Sequence, residues 1–235
     1  MGKPVKFSDR NRKWFLRSQK TETRCSDVLA ERERILIVCE GEKTEPNYFK
    51  AIKAELPPHV VEVEIVGEGD NTLRLVEKAQ ILRDERANGD YPFDQVWVVF
   101  DCDSFPADHF DNAISKAKRQ GMGTAWSNEA FELWYVLHFE YRNTAMSRTE
   151  YQKKLTKWMG NTYKKNAKDM YQQLSKTDNQ SKAIKRARKL HKEVRESKTP
   201  PSKANPYTTV YELVETLNRF RPSKNPTIPK SRHHI

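Results

Sequence analysis

The chain has 235 residues and 36% hydrophobic content, enough for one sizeable core, while a charged fraction of 32% implies a very polar surface. No stretch approaches the roughly eighteen apolar residues of a membrane span, and the basic start lacks the apolar segment of a secretory signal. Three cysteines without metal spacing exclude a disulfide framework or a zinc finger, so a reduced, cytoplasmic protein is expected.

Residues 1–33 read as a basic N-terminal arm with Trp14-Phe15-Leu16 as a docking patch. An apolar run, Ile35 to Cys39, predicts a buried strand over 34–39 that closes on Glu40. A helix follows from about 46, with Pro46 in its first turn and Thr44 or Glu45 as cap. Alternation at Val61, Val63 and Ile65 predicts a second strand over 59–66. A helix then runs from Thr72 to Asn88, capped by Asn71. A third strand over 95–100 leads into Asp101-Cys102-Asp103, followed by a helix over 107–120 that stops at Gly121. A short strand over 123–127 and an aromatic helix over 129–139 complete the pattern.

This βαβαβαβ order argues for a parallel α/β sheet, here the body over 34–140. Beyond Tyr141 strand character vanishes. Helices are predicted over 148–159, 166–175, 180–197 and 206–219, a basic helical extension over 141–220, with a Pro-, Ser- and Lys-rich tail over 221–235. Cys39 and Cys102 fall at the predicted strands as small buried hydrophobes.

Charge divides the chain more sharply than its total of +11 suggests. Residues 34–140 carry 11 basic and 20 acidic side chains, whereas 141–235 carry 23 basic and 7 acidic. An acidic body beside a basic third suggests metal chemistry in one and polyanion capture in the other.

Ligand sites in open parallel sheets lie beyond the carboxyl ends of the strands. Glu40, Asp101 and Asp103 all belong there by sequence, and carboxylates gathered in one place repel unless a cation lies among them. The metal ligands expected are therefore Glu40, Asp101 and Asp103, with Glu132 as a fourth, around Mg²⁺ or Mn²⁺. Gly41-Glu42-Lys43-Thr44 does not match a P-loop, because Glu42 separates Gly41 from Lys43. Lys43 instead stands near the helix entrance, suited to steadying phosphate oxygens. Glu40, Lys43 and Glu132 are the catalytic candidates. Glu129 reads as a helix-dipole partner, and His138 as a packed histidine rather than a base. Nucleic-acid contacts are expected at Arg142, Lys164, Lys165, Lys182, Lys185, Arg186, Arg188, Lys189, Lys192 and Arg195. Arg148 also lies near the body.

The run Ile37-Val38-Cys39-Glu40-Gly41-Glu42-Lys43-Thr44-Glu45, with Tyr48-Phe49 beyond it, is one of four ordered blocks that resemble RloB-like proteins. The others are Asp101-x-Asp103, Asn128-x-x-Phe131-Glu132-Leu133-Trp134, and Asn205-Pro206-x-Thr208-Thr209-Val210. The resemblance covers about residues 34–219. A strand-terminal Glu followed by Asp-x-Asp is also the arrangement of Toprim domains. The resemblance implies a Toprim-like fold and a part in prokaryotic defence against phage, beside an ATPase encoded nearby. It implies Glu40 as acid/base or metal ligand and Asp101 and Asp103 as Mg²⁺ ligands. The expected activity is a metal-dependent nuclease acting on DNA or RNA. The alternatives are a non-catalytic nucleic-acid-binding or sensing subunit and an interaction subunit for the ATPase, with homo-oligomerisation left open.

Overall fold

The computed structural model describes residues 32–67, 72–89, 91–102, 106–176 and 179–222. Four parallel strands and one antiparallel strand form a single sheet, flanked by eight helices among the described residues. The strands are β1 (Glu33–Cys39), β2 (Val61–Gly67), β3 (Gln95–Asp101), β4 (Gly123–Asn128) and β5 (Tyr207–Thr208). They lie in the order β2-β1-β3-β4-β5, and only the β4–β5 pairing is antiparallel. The helices are α1 (Thr44–Lys53), α2 (Thr72–Ala87), α3 (Ala107–Arg119), α4 (Glu132–Val136), α5 (Arg148–Met159), α6 (Met170–Ser175), α7 (Gln180–Ser197) and α8 (Val210–Asn218).

Strand periodicity divides the core in two. Alternate residues of β1 point to opposite faces: Ile35, Ile37 and Cys39 join a core with residues of α1 and α4–α8, while Leu36 and Val38 join one with residues of α2 and α3. Each core is built on aromatic edges, Tyr48 against Phe49, Phe131 and Tyr171 in the first and Phe110 against Phe100 and Trp126 in the second.

Several elements depart from the sequence reading. α1 begins at Thr44, with Lys43 at its N-cap, so Thr44 and Glu45 are its first two helical residues rather than caps. The expected helix over 129–139 shrinks to Glu132–Val136, preceded by a cis Asn128–Glu129 peptide. Glu129 is therefore outside that helix, and its Oε1 accepts from the Arg148 N–H at 3.2 Å, so it complements the N-terminus of α5 rather than that of α4. A strand does occur beyond Tyr141: β5 is two residues long, too short for a periodic pattern, and pairs antiparallel with the end of β4. Its pairing is reinforced by the Ser127 Oγ–Thr208 Oγ1 hydrogen bond at 3.0 Å. The C-terminal third is thus built into the same sheet as the acidic body. Cys39 is fully buried, while Cys102 lies one residue past β3 and is half-buried. Glu33, expected in the arm, is the first residue of β1, while residues 1–31, the cap Asn71, Asp103 and the tail from residue 223 lie outside the described residues. No helix among the described residues is long and apolar enough to cross a membrane.

Candidate active site

Parallel pairing brings the ends of β1 and β3 side by side, with Cys39 opposite Val99. The chain leaves β1 by one further bond, Glu40 N–H to the Val99 carbonyl at 2.8 Å. That bond aims the Glu40 side chain across the strand ends, where Oε2 accepts the Asp101 N–H at 3.1 Å. The Glu40 carboxylate therefore crosses from the end of β1 to the backbone of the last residue of β3.

Asp101, the last residue of β3, is 9% exposed, and its Oδ1 has no hydrogen-bond partner among the described residues. Burial raises its carboxyl well above the ordinary range, and the charges of Glu45 and Glu132 raise it further. A hydrogen bond from the Phe131 backbone and the Arg148 guanidinium, 3.7 Å away, act in the opposite sense. Glu132 is 1% exposed, and its Oε1 accepts from the Tyr163 hydroxyl at 3.2 Å and from Gln152 Nε2 at 3.4 Å. Burial followed by the charge of Glu132 also raises the Glu45 carboxyl, which Lys165 and Arg148 oppose. Arg148 takes its place because Ser147 starts α5 with a capping box: its side chain accepts from Glu150 N–H, and the Glu150 carboxylate accepts from Ser147 N–H.

Glu45 is the member that sequence reasoning missed as a functional residue. Its position in the first turn of a helix suggested a cap, yet the side chain folds back beneath Gly41. A Cβ on Gly41 would lie 2.0 Å from Glu45 Oε2, so any larger residue there would displace the Glu45 carboxylate from this position. Gly41 and Glu45, four residues apart, were the available clue. Above them a cleft of about 240 Å³ is lined by Gly41 to Glu45 together with Lys165 and Asn166. Lys43 is exposed at this cleft, and Thr44 Oγ1 ties its wall together by donating to the Lys165 carbonyl at 3.0 Å.

The remaining predicted residues are more scattered. Lys165 joins the acidic site, and Lys164 is exposed in the same loop. Arg142 turns to Met146, with Nε 2.9 Å from Sδ. Arg186 is half-buried and donates to the Leu137 carbonyl at 2.7 Å, so it is not the solvent-facing side chain expected. Arg188 pairs with Glu215 at 2.7 Å, Lys189 with Glu193 at 4.0 Å and Lys192 with Glu196 at 3.9 Å. Lys182, Lys185 and Arg195 are exposed. His138 is packed as expected. Its Nδ1 donates to the Trp134 carbonyl at 2.9 Å, and burial lowers its pKa to about 4.

A family model for RloB-like protein matches residues 35–217, which span β1 to α8. The chain belongs to the RloB-like family. No curated protein and no solved structure matches it. The matched segment contains every acid of this RloB-like site, including Glu45, and Arg148 as well.

The donors fit a hard cation in kind: all are carboxylate oxygens, and one of them, Asp101 Oδ1, is buried without a partner. Among the described residues no three acid, histidine or cysteine side chains are grouped closely enough to hold a metal by themselves. Asp103 lies outside the described residues.

Proposed function

We propose that this RloB-like protein is a Toprim-like, metal-dependent nuclease. The observation that supports this reading is the buried Asp101 carboxylate at the end of β3, in the electrostatic field of Glu45 and Glu132, with the Glu40 carboxylate held against the Asp101 N–H. Asp101, Glu40 and Asp103 would hold Mg²⁺ or Mn²⁺, with Glu132 completing the set. When bound, the ion would supply polarisation of a phosphodiester and a lowered pKa for an attacking water. Arg148 orients the Asp101 carboxylate. Lys43 and Lys165 face the incoming phosphate at the cleft, where positive charge stabilises developing negative charge. Glu40 is the acid/base candidate by its place against the Asp101 backbone. Cationic side chains of the C-terminal third give affinity for the nucleic-acid backbone without reading sequence.

The same reading makes the protein an effector of prokaryotic defence acting beside an ATPase, in the cytoplasm. These roles rest on the family resemblance rather than on geometry. The test is incubation of the purified protein with DNA, RNA and tRNA pools, with and without Mg²⁺ or Mn²⁺. Metal-dependent cleavage that Asp101→Asn abolishes supports the nuclease. Binding without cleavage, unchanged in Asp101→Asn, would replace it with a binding or sensing subunit.

A further inference from the structure

A second concave site lies away from the acid cluster and shares no lining residue with it. It is a pocket of about 350 Å³ between α3, β4, β5, the C-terminal end of α7 and α8. That volume falls within the roughly 300–1,000 Å³ of small-ligand sites. Its apolar floor includes Trp126 and Tyr207, whose ring centroids are 4.7 Å apart with planes inclined by 33°. Both belong to the core on the α2–α3 side of the sheet, whereas Glu45 and Glu132 stand on α1 and α4, whose apolar residues build the other core.

The charges at this pocket converge from separate elements. Most cations of α7 have partners: Arg186, Arg188, Lys189 and Lys192 are all hydrogen-bonded or ion-paired. Lys118, Arg195 and Lys198 line the pocket, are exposed, and have no ion pair among the described residues. They come from two helices and a helix cap, so one amphipathic face does not explain their convergence. Lys198 reaches its place from a left-handed backbone, φ 52°, where glycine or asparagine would be usual. Helix C-termini favour cations, and this accounts for Lys118 and Arg195 singly but not for a shared concavity with an aromatic floor. The acidic lining residue, Glu212, has its Oε1 engaged by the Tyr211 hydroxyl at 3.1 Å and lies 3.6 Å from His191 Nδ1.

We propose that this pocket binds a nucleotide unit, with the phosphate held by Lys118, Arg195 and Lys198 and the base packed toward Trp126 and Tyr207. A mononucleotide and the 5′-terminal nucleotide of a strand offer the same chemistry. The proposal does not depend on the nuclease reading, since the acid cluster takes no part in it.

Quenching of tryptophan fluorescence on the full chain tests it, with AMP, UMP, inorganic phosphate and a 5′-phosphorylated oligonucleotide as probes. Saturable binding of a mononucleotide or of the 5′-phosphorylated strand is expected, and the comparison of these two arms identifies the source. The triple variant Lys118→Ala/Arg195→Ala/Lys198→Gly should weaken it at least tenfold, the glycine preserving the left-handed cap. The control Lys53→Ala/Lys153→Ala/Lys157→Ala removes equal charge from exposed positions on α1 and α5 and should change affinity less than twofold. Thermal melting of both variants checks folding. Equal losses in the two variants would overturn the site in favour of general charge attraction. Inorganic phosphate binding as tightly as AMP would overturn the nucleotide assignment, and so would the absence of saturable binding by any probe.

Discussion

The strand-end acids and the basic helix α7 use charge in opposite ways. At the strand ends, a few carboxylates are buried together, which raises the pKa of Asp101 and Glu45 and leaves Asp101 Oδ1 without a partner. Along α7 there are many more charges, but they lie near the surface, and three of its seven Lys and Arg side chains, Arg188, Lys189 and Lys192, pair with a carboxylate one turn away or on α8. A pair exposed in this way contributes little to stability, whereas a desolvated carboxylate strongly favours binding a proton or a cation. The 23 basic side chains of residues 141–235 therefore overstate the free cationic surface, while three or four acids understate the importance of the strand ends.

The sharpest way to break this contrast is Asp101→Asn. Cleavage supported by Mg²⁺ should fall by roughly 10²–10³-fold, the scale on which loss of one preorganised electrostatic group acts. The melting temperature should hold or rise, because a neutral amide replaces a desolvated carboxylate. A protein that loses stability and keeps activity would make the strand ends structural.

His138 extends the contrast to a buried base. Its folded pKa of about 4 lies below the unfolded value of 6.5, so the unfolded state takes up the proton first. Stability is then fully present above pH 6.5 and is lost as pH falls toward 4, by roughly 3 kcal/mol in total. Urea melts of the protein and of His138→Gln across this range should show the slope disappearing in the variant.

Glu132 decides how far the acidic region extends. Glu132→Gln should lower metal-dependent activity about tenfold or more, with little change in melting temperature. Tyr163→Phe, which removes one donor to Glu132, should cost about 1–2 kcal/mol of stability. A stability loss with full activity in Glu132→Gln would instead assign this acid to the Tyr163–Gln152 network.

The smallest effects belong to α7. Lys182→Ala/Lys185→Ala should leave folding unchanged and reduce the slope of log affinity against log salt by about 0.9 for each phosphate no longer neutralised. Arg186→Ala should cost about 1 kcal/mol of stability, because the Leu137 carbonyl loses its donor. An unchanged salt slope in the lysine pair would shift nucleic-acid capture off this helix.

The legible parts of the molecule were those set by local pattern. Apolar runs gave the four parallel strands, and the spacing in 148–159 and 180–197 located α5 and α7 to their ends. The approach of the Glu40 side chain to the Asp101 backbone is consistent with the rule for strand ends, because parallel register aligns the two termini. What escaped was set by distant partners. β5 exists only because Tyr207 and Thr208 meet Asn128 and Ser127 from far along the chain. Glu45 was concealed by its helical position, and its burial depends on the space left at Gly41. Arg186 reads as one more surface cation until the Leu137 carbonyl is seen beside it.

The order of strands also bears on how the molecule avoids joining its neighbours. A sheet is open to strand addition at its two margins. At one, β5 offers only two residues, too short a template for an incoming chain. At the other, β2 presents seven, but Glu62 and Glu64 along it are clamped by Arg86 at 2.7 and 3.0 Å. A fibril growing along that margin would have to stack these carboxylates in register with copies of themselves. Among the described residues, brevity at one border and carboxylates at the other both disfavour strand addition to this largely parallel sheet.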